Sequence, residues 1–218
     1  MRIALIHALT HSIAPINDAF VLMWPGATRI NLLDDSLSAD LAANDGVLEE
    51  TMHRRVEILA DYAASTGANG ILFTCSAFGS CIERAARKHS GMPVLKPNEA
   101  MIAEAVAAVR SPGGSIGLIA SFAPTLVSMP PEFPPAISLQ SELVEDAMRA
   151  LNAGDGPAHD AAVVAAALRL RANGASVIAL AQFSMARAAT AVEQATGLPV
   201  FTTPASAIRF LRRQLGAT

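Results

Sequence analysis

A near repeat within the chain is the feature that most constrains its fold. Residues 67–76 align with residues 174–183, 107 positions later, and residues 3–6 align with residues 116–119. The aligned segments contain short apolar runs, which are typical of buried strands. We therefore expect two copies of one α/β unit. The copies differ most at Cys75, because Gln182 stands at the corresponding position of the second copy.

Aliphatic runs alternate with alanine-rich stretches along the whole chain, a pattern that predicts parallel strands covered by helices. The predicted strands span residues 2–7, 28–32, 70–74, 93–95, 115–120, 136–139, 176–181 and 199–201. The predicted helices span residues 13–23, 46–66, 77–90, 98–110, 122–129, 141–152, 157–173, 184–196 and 204–215. The predicted fold class is α/β, with two pseudo-symmetric, Rossmann-like lobes that arose by internal duplication.

The repeat also predicts the domain boundaries. Residues 1–97 together with 205–218 are expected to form an N-terminal lobe that carries Cys75. Residues 98–204 are expected to form a C-terminal lobe that carries Gln182, and the Pro- and Gly-containing segment 111–114 separates the two copies. Ligands of open parallel sheets bind beyond the carboxyl ends of the strands. We therefore expect the active site in a cleft between the lobes, formed by strand-end loops of both.

Composition and charge narrow the choice of partner. Charged residues make up 16% of the chain, hydrophobic residues 52%, and the net charge is −3. A weakly acidic chain favours neither nucleic acid nor an anionic membrane as a partner. The chain begins directly with a strand, without the apolar segment of a signal peptide, so a cytoplasmic location with reduced thiols is expected. The histidines and carboxylates show no metal-ligand spacing, and no metal site is predicted.

Cys75 is the candidate catalytic residue of the first copy. It follows a predicted strand and precedes a helix expected to start near Ala77, so free backbone N–H groups surround its sulfur. Such a position stabilises a thiolate or a bound carboxylate. We expect Thr74, Ser76 and Ala77 to contribute hydroxyl and amide groups to a substrate carboxylate. The alternative is an inert cysteine that packs as a small hydrophobic residue.

His7 is the second catalytic candidate, because it ends the first predicted strand and an imidazole suits general-base chemistry. Thr10 lies in the loop that follows and is a candidate substrate contact. A packed histidine without a chemical role is the alternative. If the Cys75 thiol and the His7 ring hydrogen-bond to each other, thiol-based hydrolysis is a further reading.

The second copy supplies the remaining candidate substrate contacts. They are Ser121, Phe122, Gln182, Phe183 and Ser184, which all follow predicted strands. The Gln182 amide can hold a carboxylate or a developing enolate, but it cannot transfer a proton near neutral pH. For Ser184 an N-cap of the next helix is an equal alternative.

Two motifs resemble the aspartate/glutamate racemase superfamily. The Thr-Cys-Ser-Ala-Phe-Gly run at 74–79 resembles the first cysteine motif of that family, and the Ala-Ser-Val-Ile-Ala-Leu run at 175–180 resembles the strand before its second cysteine. The resemblance covers essentially the whole chain. It implies two α/β lobes and cofactor-independent chemistry at the carbon α to a carboxylate of a small acid. It also implies a homodimer or higher oligomer.

Gln182 departs from the family pattern, in which one cysteine removes the α proton and another returns a proton to the opposite face. A two-cysteine racemisation is therefore not expected here. The resemblance favours an enzyme of the racemase/isomerase type with Cys75 as its single catalytic cysteine. One alternative is a decarboxylase of a malonate-type acid, since that branch of the family uses one thiol. A non-catalytic protein that binds small carboxylates is the other.

Overall fold

The computed structural model describes residues 1–109 and 114–217. The chain divides into two compact units. The first unit comprises Met1–Pro97 and the C-terminal segment that begins at Ala207, and the second comprises Asn98–Ser206. Each unit contains one four-stranded parallel sheet flanked by helices. The predicted α/β fold with a duplicated unit is thereby confirmed.

The two sheets have the same strand order. The first contains β1 (Arg2–His7), β2 (Thr28–Leu33), β3 (Gly70–Phe73) and β4 (Val94–Leu95) in the order β2-β1-β3-β4. The second contains β5 (Ser115–Ala120), β6 (Ser138–Leu143), β7 (Ala175–Leu180) and β8 (Val200–Thr202) in the order β6-β5-β7-β8. All six strand pairings are parallel.

Ten α-helices lie within the described residues. They are α1 (Ile13–Met23), α2 (Ser36–Ala43), α3 (Glu50–Ser65), α4 (Gly79–Lys88), α5 (Glu99–Ala108), α6 (Ala123–Ser128), α7 (Glu145–Asn152), α8 (Gly156–Ala172), α9 (Ala189–Thr196) and α10 (Thr203–Gln214). Short 3-10 helices span Thr10–Ser12, Ser76–Phe78, Pro130–Glu132 and Phe183–Ala188.

The central strands are apolar because helices cover both faces of each sheet. In the second unit, successive side chains of β5 alternate between two hydrophobic clusters. Ile116 and Leu118 pack with Met101 of α5 on one face, whereas Ile119 packs with Val163 of α8 on the other. This alternation follows from the two-residue period of a strand. Because both faces of such a strand are buried, nearly all of its residues are apolar. The repeat is therefore clearest in the central strands.

The edge strand of the second sheet differs from its prediction. A strand at 136–139 and a helix from 141 were expected, but β6 extends from Ser138 to Leu143 and α7 begins at Glu145. Residues 138–143 pair along the whole of β5, and each of their side chains is either exposed or half-buried. A half-exposed edge strand carries polar residues, so it lacks the apolar run by which the inner strands are recognised.

The segment between β2 and β3 also differs from its prediction. The helix α2 was not predicted, and α3 begins at Glu50, although a helix from residue 46 was expected. Asp45 and Gly46 both have positive φ angles, 49° and 78°, which end any helical path between α2 and α3. The predicted helix at 98–110 ends at Ala108. Its last residue and most of the predicted 111–114 break lie outside the described residues.

Candidate active site

The register of the two sheets places Cys75 and Gln182 at equivalent positions. Ile6 of β1 is paired with Phe73, and Ile119 of β5 is paired with Leu180. The next residue in each case donates its N–H back to the same strand, from Thr74 to the Ile6 carbonyl at 3.0 Å and from Ala181 to the Ile119 carbonyl at 2.9 Å. Cys75 and Gln182 follow directly, and both have extended backbone angles. The alignment from sequence is thus reproduced by backbone hydrogen bonds.

Cys75 immediately precedes the 3-10 helix Ser76–Phe78 and is half-buried. The backbone N–H of Ala77 and the hydroxyl of Ser38 hydrogen-bond with its sulfur. Burial nevertheless raises the pKa of the Cys75 thiol to about 11, because desolvation outweighs these two hydrogen bonds. The sequence led us to expect a thiol with a lowered pKa. The structure instead gives one that is protonated at neutral pH.

The burial of Cys75 is the reason for this difference. An exposed thiol at the end of a helix gains from the free N–H groups, but a thiol that is partly withdrawn from water loses part of the solvation of its charged form. A protonated thiol is a proton donor, and it is not a nucleophile until it loses its proton. The Cys75 thiol is therefore an acid in the resting protein.

His7 lies at the end of β1 and is completely buried. Its Nε2 donates to Asn31 Oδ1 at 2.9 Å, so its Nδ1 is an acceptor in the neutral ring. The Thr74 hydroxyl lies 2.8 Å from Nδ1, and Ser12 Oγ lies 3.1 Å from the same nitrogen and 2.9 Å from Thr74 Oγ1. Ser12 donates its own proton to the Leu9 carbonyl at 2.7 Å. Both ring nitrogens are thus occupied within the first unit.

This network makes His7 a neutral structural residue in the resting protein. Desolvation lowers the pKa of His7, and the hydrogen bond with Asn31 opposes that shift without cancelling it. Neither nitrogen is left to remove a proton from a ligand or from the Cys75 thiol. The resting His7 ring is therefore not set up as the expected general base, nor as the base that thiol-based hydrolysis would need. His7 instead holds Thr74, the residue directly before Cys75.

The second unit has a different polar pair at the same strand ends. Gln182 Oε1 accepts the backbone N–H of Ser121 at 2.5 Å and its hydroxyl at 2.9 Å. Because the amide oxygen is occupied by two donors, the N–H groups of Nε2 are the part of Gln182 that can bind an anion. The positions equivalent to His7 and Thr74 are Ala120 and Ala181, both buried. The His7 network therefore has no equivalent there.

The other predicted contacts lie in the loops where the sequence put them. Ser76 and Ala77 are buried in the 3-10 helix after Cys75, and Thr10 is exposed in the 3-10 helix after β1. In the second unit, Phe122 is half-buried directly before α6. Phe183 and Ser184 are buried at the start of the 3-10 helix after Gln182, and the Gln182 side chain makes no capping hydrogen bond there.

Two residues of the site were missed by sequence reasoning. Asn31 lies in the polar edge strand β2, and Ser38 lies in α2, the helix that was not predicted. Neither belongs to a motif, and both reach the site only through the packing of the segment after β1. The one available signal was an asparagine inside a strand, where this residue type is depleted.

The described residues contain neither a metal-binding cluster nor a membrane-spanning helix. Among residues 1–109 and 114–217, no group of three or more His, Cys, Asp or Glu side chains is placed to hold a metal ion. In the same part of the chain, no helix is both long enough and apolar enough to cross a membrane.

Comparison with known proteins decides the family. Residues 23–211 match the model of the Asp/Glu/Hydantoin racemase family. The chain belongs to this family. No curated protein sequence matches it significantly. Membership confirms the resemblance that the cysteine motifs had indicated.

Solved structures of several enzymes share the fold of this chain. Allantoin racemase from Klebsiella pneumoniae superposes with a TM-score of 0.75 at 18% identity, covering 99% of this chain and 88% of that one. Aspartate racemase from Picrophilus torridus gives a TM-score of 0.71 at 13% identity, covering 99% and 94%. A double mutant of arylmalonate decarboxylase, with one cysteine introduced and another replaced by serine, gives 0.65 at 18%, covering 99% and 92%.

Proposed function

We propose that the protein is a cofactor-independent enzyme of the racemase/isomerase type that acts at the carbon α to a carboxylate of a small acid. Cys75 is its single catalytic cysteine and works as a proton donor. The observation that carries the proposal is the pair of equivalent strand ends. One holds a thiol that is protonated at neutral pH, and the other holds an amide that cannot donate a proton to carbon.

The proposed step is the transfer of the thiol proton to the α carbon of an enediolate, which forms when the acid loses CO₂ or when a water molecule removes its α proton. The S–H bond breaks, the electron pair of the enediolate forms the new C–H bond, and sulfur keeps its own pair as a thiolate. The Ala77 N–H, which already hydrogen-bonds with the sulfur, then stabilises the negative charge. The thiolate regains a proton from water before the next turnover, because a pKa of about 11 favours the protonated form.

The substrate carboxylate would bind to groups that surround the thiol or its counterpart. In the first unit these would be the hydroxyl and the backbone amide of Ser76, and in the second unit the Nε2 donors of Gln182. That the two strand-end loops share one ligand stays a prediction of the sequence, as do the contacts from Thr10, Phe122 and Ser184. A cytoplasmic location and a homodimer or higher oligomer stay predictions too.

Decarboxylation of a malonate-type acid is the second candidate, and the protonated thiol favours it specifically. Loss of CO₂ leaves an enediolate that needs one acid and no base, so a neutral Cys75 suffices. Racemisation also needs a base to remove the α proton, and because neither the resting thiol nor His7 supplies one, a water molecule would have to take that proton. The arylmalonate decarboxylase structure among the neighbours shares this fold.

An NMR experiment in D₂O tests the proposal and separates the candidates. The protein is incubated with small amino, hydroxy, malonic and unsaturated acids while the α protons are followed. We expect deuterium incorporation, decarboxylation or isomerisation of at least one acid, with a loss of about 10²–10⁴-fold in Cys75→Ser. The matched control is Cys81→Ala, which alters the buried cysteine of α4 and should retain turnover.

Two outcomes would contradict the proposal. If Cys75→Ser turns over as fast as the wild-type protein, Cys75 is not the proton donor. If no acid reacts but several shift the protein's own resonances, the protein is a binder of small carboxylates without catalytic activity.

A further inference from the structure

An asparagine of the first helix extends the hydrogen-bond network of His7. Asn17 lies in α1, and its Nδ2 donates to the carbonyl of Ile13 at 2.8 Å. The same nitrogen donates to Asn31 Oδ1 at 2.9 Å. Asn31 Oδ1 in turn lies 2.9 Å from His7 Nε2. Asn17 is therefore linked to the His7 ring through one intermediate side chain.

The direction of each hydrogen bond in this chain follows from the Ile13 carbonyl. A carbonyl can only accept, so the atom of Asn17 that faces it is the amide nitrogen. The second hydrogen of that nitrogen is directed at Asn31, whose facing atom must then be its oxygen. An amide oxygen beside His7 Nε2 requires a proton on that ring nitrogen. The tautomer of the buried ring is thus fixed by a side chain of α1.

The other ring nitrogen, His7 Nδ1, faces two hydroxyl groups and accepts in this tautomer. Ser12 Oγ lies 2.7 Å from the Leu9 carbonyl, which can only accept, so the single proton of Ser12 is used there. Thr74 Oγ1 lies 2.8 Å from His7 Nδ1 and 3.3 Å from the Ile6 carbonyl. The Thr74 proton is therefore the one left for His7, and the Ile6 carbonyl is its more distant alternative.

We propose that Asn17 is a positioning residue of the candidate active site, which selects the Nε2–H tautomer of His7 and so directs the Thr74 hydroxyl toward that ring. Thr74 directly precedes Cys75, and its N–H is held by the Ile6 carbonyl at 3.0 Å. The contact with His7 fixes its side chain as well. Selection of the tautomer concerns the protein without substrate, whereas an effect on turnover rests on the proposed function of Cys75.

Asn17→Asp tests the selection because it reverses the first hydrogen bond toward His7. A carboxylate can only accept, so Asn31 must turn its Nδ2 toward position 17, and Asn31 is exposed, which leaves its amide free to turn. The two hydrogens of Nδ2 then face the carboxylate and His7 Nε2. We expect the ring to change to the Nδ1–H tautomer, with the Thr74 hydroxyl turned to the Ile6 carbonyl.

Long-range ¹H–¹⁵N NMR of the histidine rings measures the tautomer, because protonated and unprotonated ring nitrogens resonate far apart. Spectra are recorded without substrate at about pH 8, where His7 is neutral because burial lowers its pKa from the usual value of about 6.5. His7→Gln identifies the His7 signals among those of the five histidines. The wild-type ring should carry its proton on Nε2.

Asn44→Asp is the matched control for the added charge. Asn44 is another asparagine of the first unit, and its Nδ2 donates to the Val47 carbonyl at 2.9 Å. The substitution introduces the same acceptor and the same charge outside the chain from Asn17 to His7, so the His7 tautomer should not change. Asn31→Asp should also keep the Nε2–H tautomer, because its carboxylate can only accept.

Three results would overturn the inference. The first is an Nδ1–H tautomer of His7 in the wild-type protein, a result that stays decisive even if Asn17→Asp fails to fold by circular dichroism. The second is an unchanged tautomer in a folded Asn17→Asp protein. The third is the same change of tautomer in Asn44→Asp, which would assign the effect to charge and not to hydrogen-bond direction.

Turnover separates this inference from the proposed function. With an acid that reacts in the NMR screen, kcat of Asn17→Asp should fall by about tenfold, since displacing a reacting group can cost up to about 10²-fold. If the tautomer changes but kcat does not, Asn17 does not position the site. If Cys75→Ser turns over like the wild-type protein, the proposed function falls and selection of the His7 tautomer stands.

Discussion

For a single residue, burial decides which proton transfers Cys75 can perform. A pKa of about 11 leaves about one thiol in ten thousand ionised at pH 7. As a base, such a thiol would be almost entirely in the wrong protonation state. As an acid it is ready throughout the neutral range. The two roles therefore predict opposite pH dependences.

The pH profile of kcat/KM distinguishes them. If Cys75 acts as an acid, kcat/KM should be flat from neutral pH upward and decline only near the pKa of about 11. The measurement is a steady-state pH series with an acid that reacts in the NMR screen and stays fully ionised across the range. A tenfold rise per pH unit between pH 7 and pH 10 would instead mean that the free enzyme uses the thiolate.

His7 should make the first unit less stable in acid. Its pKa is lowered in the folded state, so between that value and the ordinary value of about 6.5 the unfolded chain binds more protons. The free energy of unfolding should therefore fall as the pH drops below about 6.5, by at most about 1.4 kcal/mol per pH unit for this one group.

Urea unfolding followed by tryptophan fluorescence provides the measurement. Trp24 is the single tryptophan of the chain, and it is buried in the unit that contains His7. In His7→Gln, which keeps a donor toward Asn31, the decline between pH 7 and pH 5 should be shallower. An identical decline in both proteins would assign the pH dependence to other groups.

At the scale of elements, the inner strand β5 of the second sheet has no space for an additional methyl group at Gly117. A Cβ on Gly117 of β5 would lie 3.0 Å from both Ile178 Cδ1 and Leu170 Cδ1. Contacts this short force side chains out of their preferred positions. The register-equivalent residue of β1 is Ala4, so the first sheet accommodates the methyl group that the second excludes.

Gly117→Ala should lower the free energy of unfolding by about 1–3 kcal/mol. The control is the double variant with Leu170→Ala, which removes the side chain of α8 that the new methyl group meets. The two changes should then be less than additive in urea unfolding monitored by circular dichroism. Additive losses would show that the methyl group does not meet Leu170.

The elements also show what the sequence could and could not predict. The bounds of β1 and β5 were predicted correctly because both strands are buried on both faces and form continuous apolar runs. The α2 helix and the ends of β6 were not, because half-exposed elements carry mixed residues. The same contrast between predicted and missed elements holds for the residues of the candidate site. Cys75 and Gln182 were found through the repeat, but Ser38 was not, because its contact depends on how α2 packs.

For the whole molecule, the first unit is completed by the C-terminal end of the chain. Arg212 of α10 donates to the carbonyl of Met23 at 2.8 Å, and Leu211 packs against Gly70 at the start of β3. The two contacts join residues that are 189 and 141 positions apart. The second unit is a continuous stretch, Asn98–Ser206, and needs no such segment.

A chain that stops after Ser206 should lose stability in the first unit only. Hydrogen exchange should accelerate in β3, which loses the packing of Leu211, and the Trp24 transition should move to lower urea concentration. Amides of β7 should keep their protection, because its pairing with β5 and β8 involves no deleted residue. Equal acceleration in β3 and β7 would show that the units do not unfold separately.

This arrangement has a consequence for how the protein is made. On the ribosome every residue of the second unit is present before the segment that completes the first unit has been translated. Domains generally fold as units, and the earlier one usually folds first during synthesis. Here the first unit lacks the packing of Leu211 against Gly70 until α10 has been translated, so this apolar contact of β3 is missing while the second unit is emerging. A pause in translation before α10 would prolong the time in which a nascent-chain chaperone can bind the incomplete first unit.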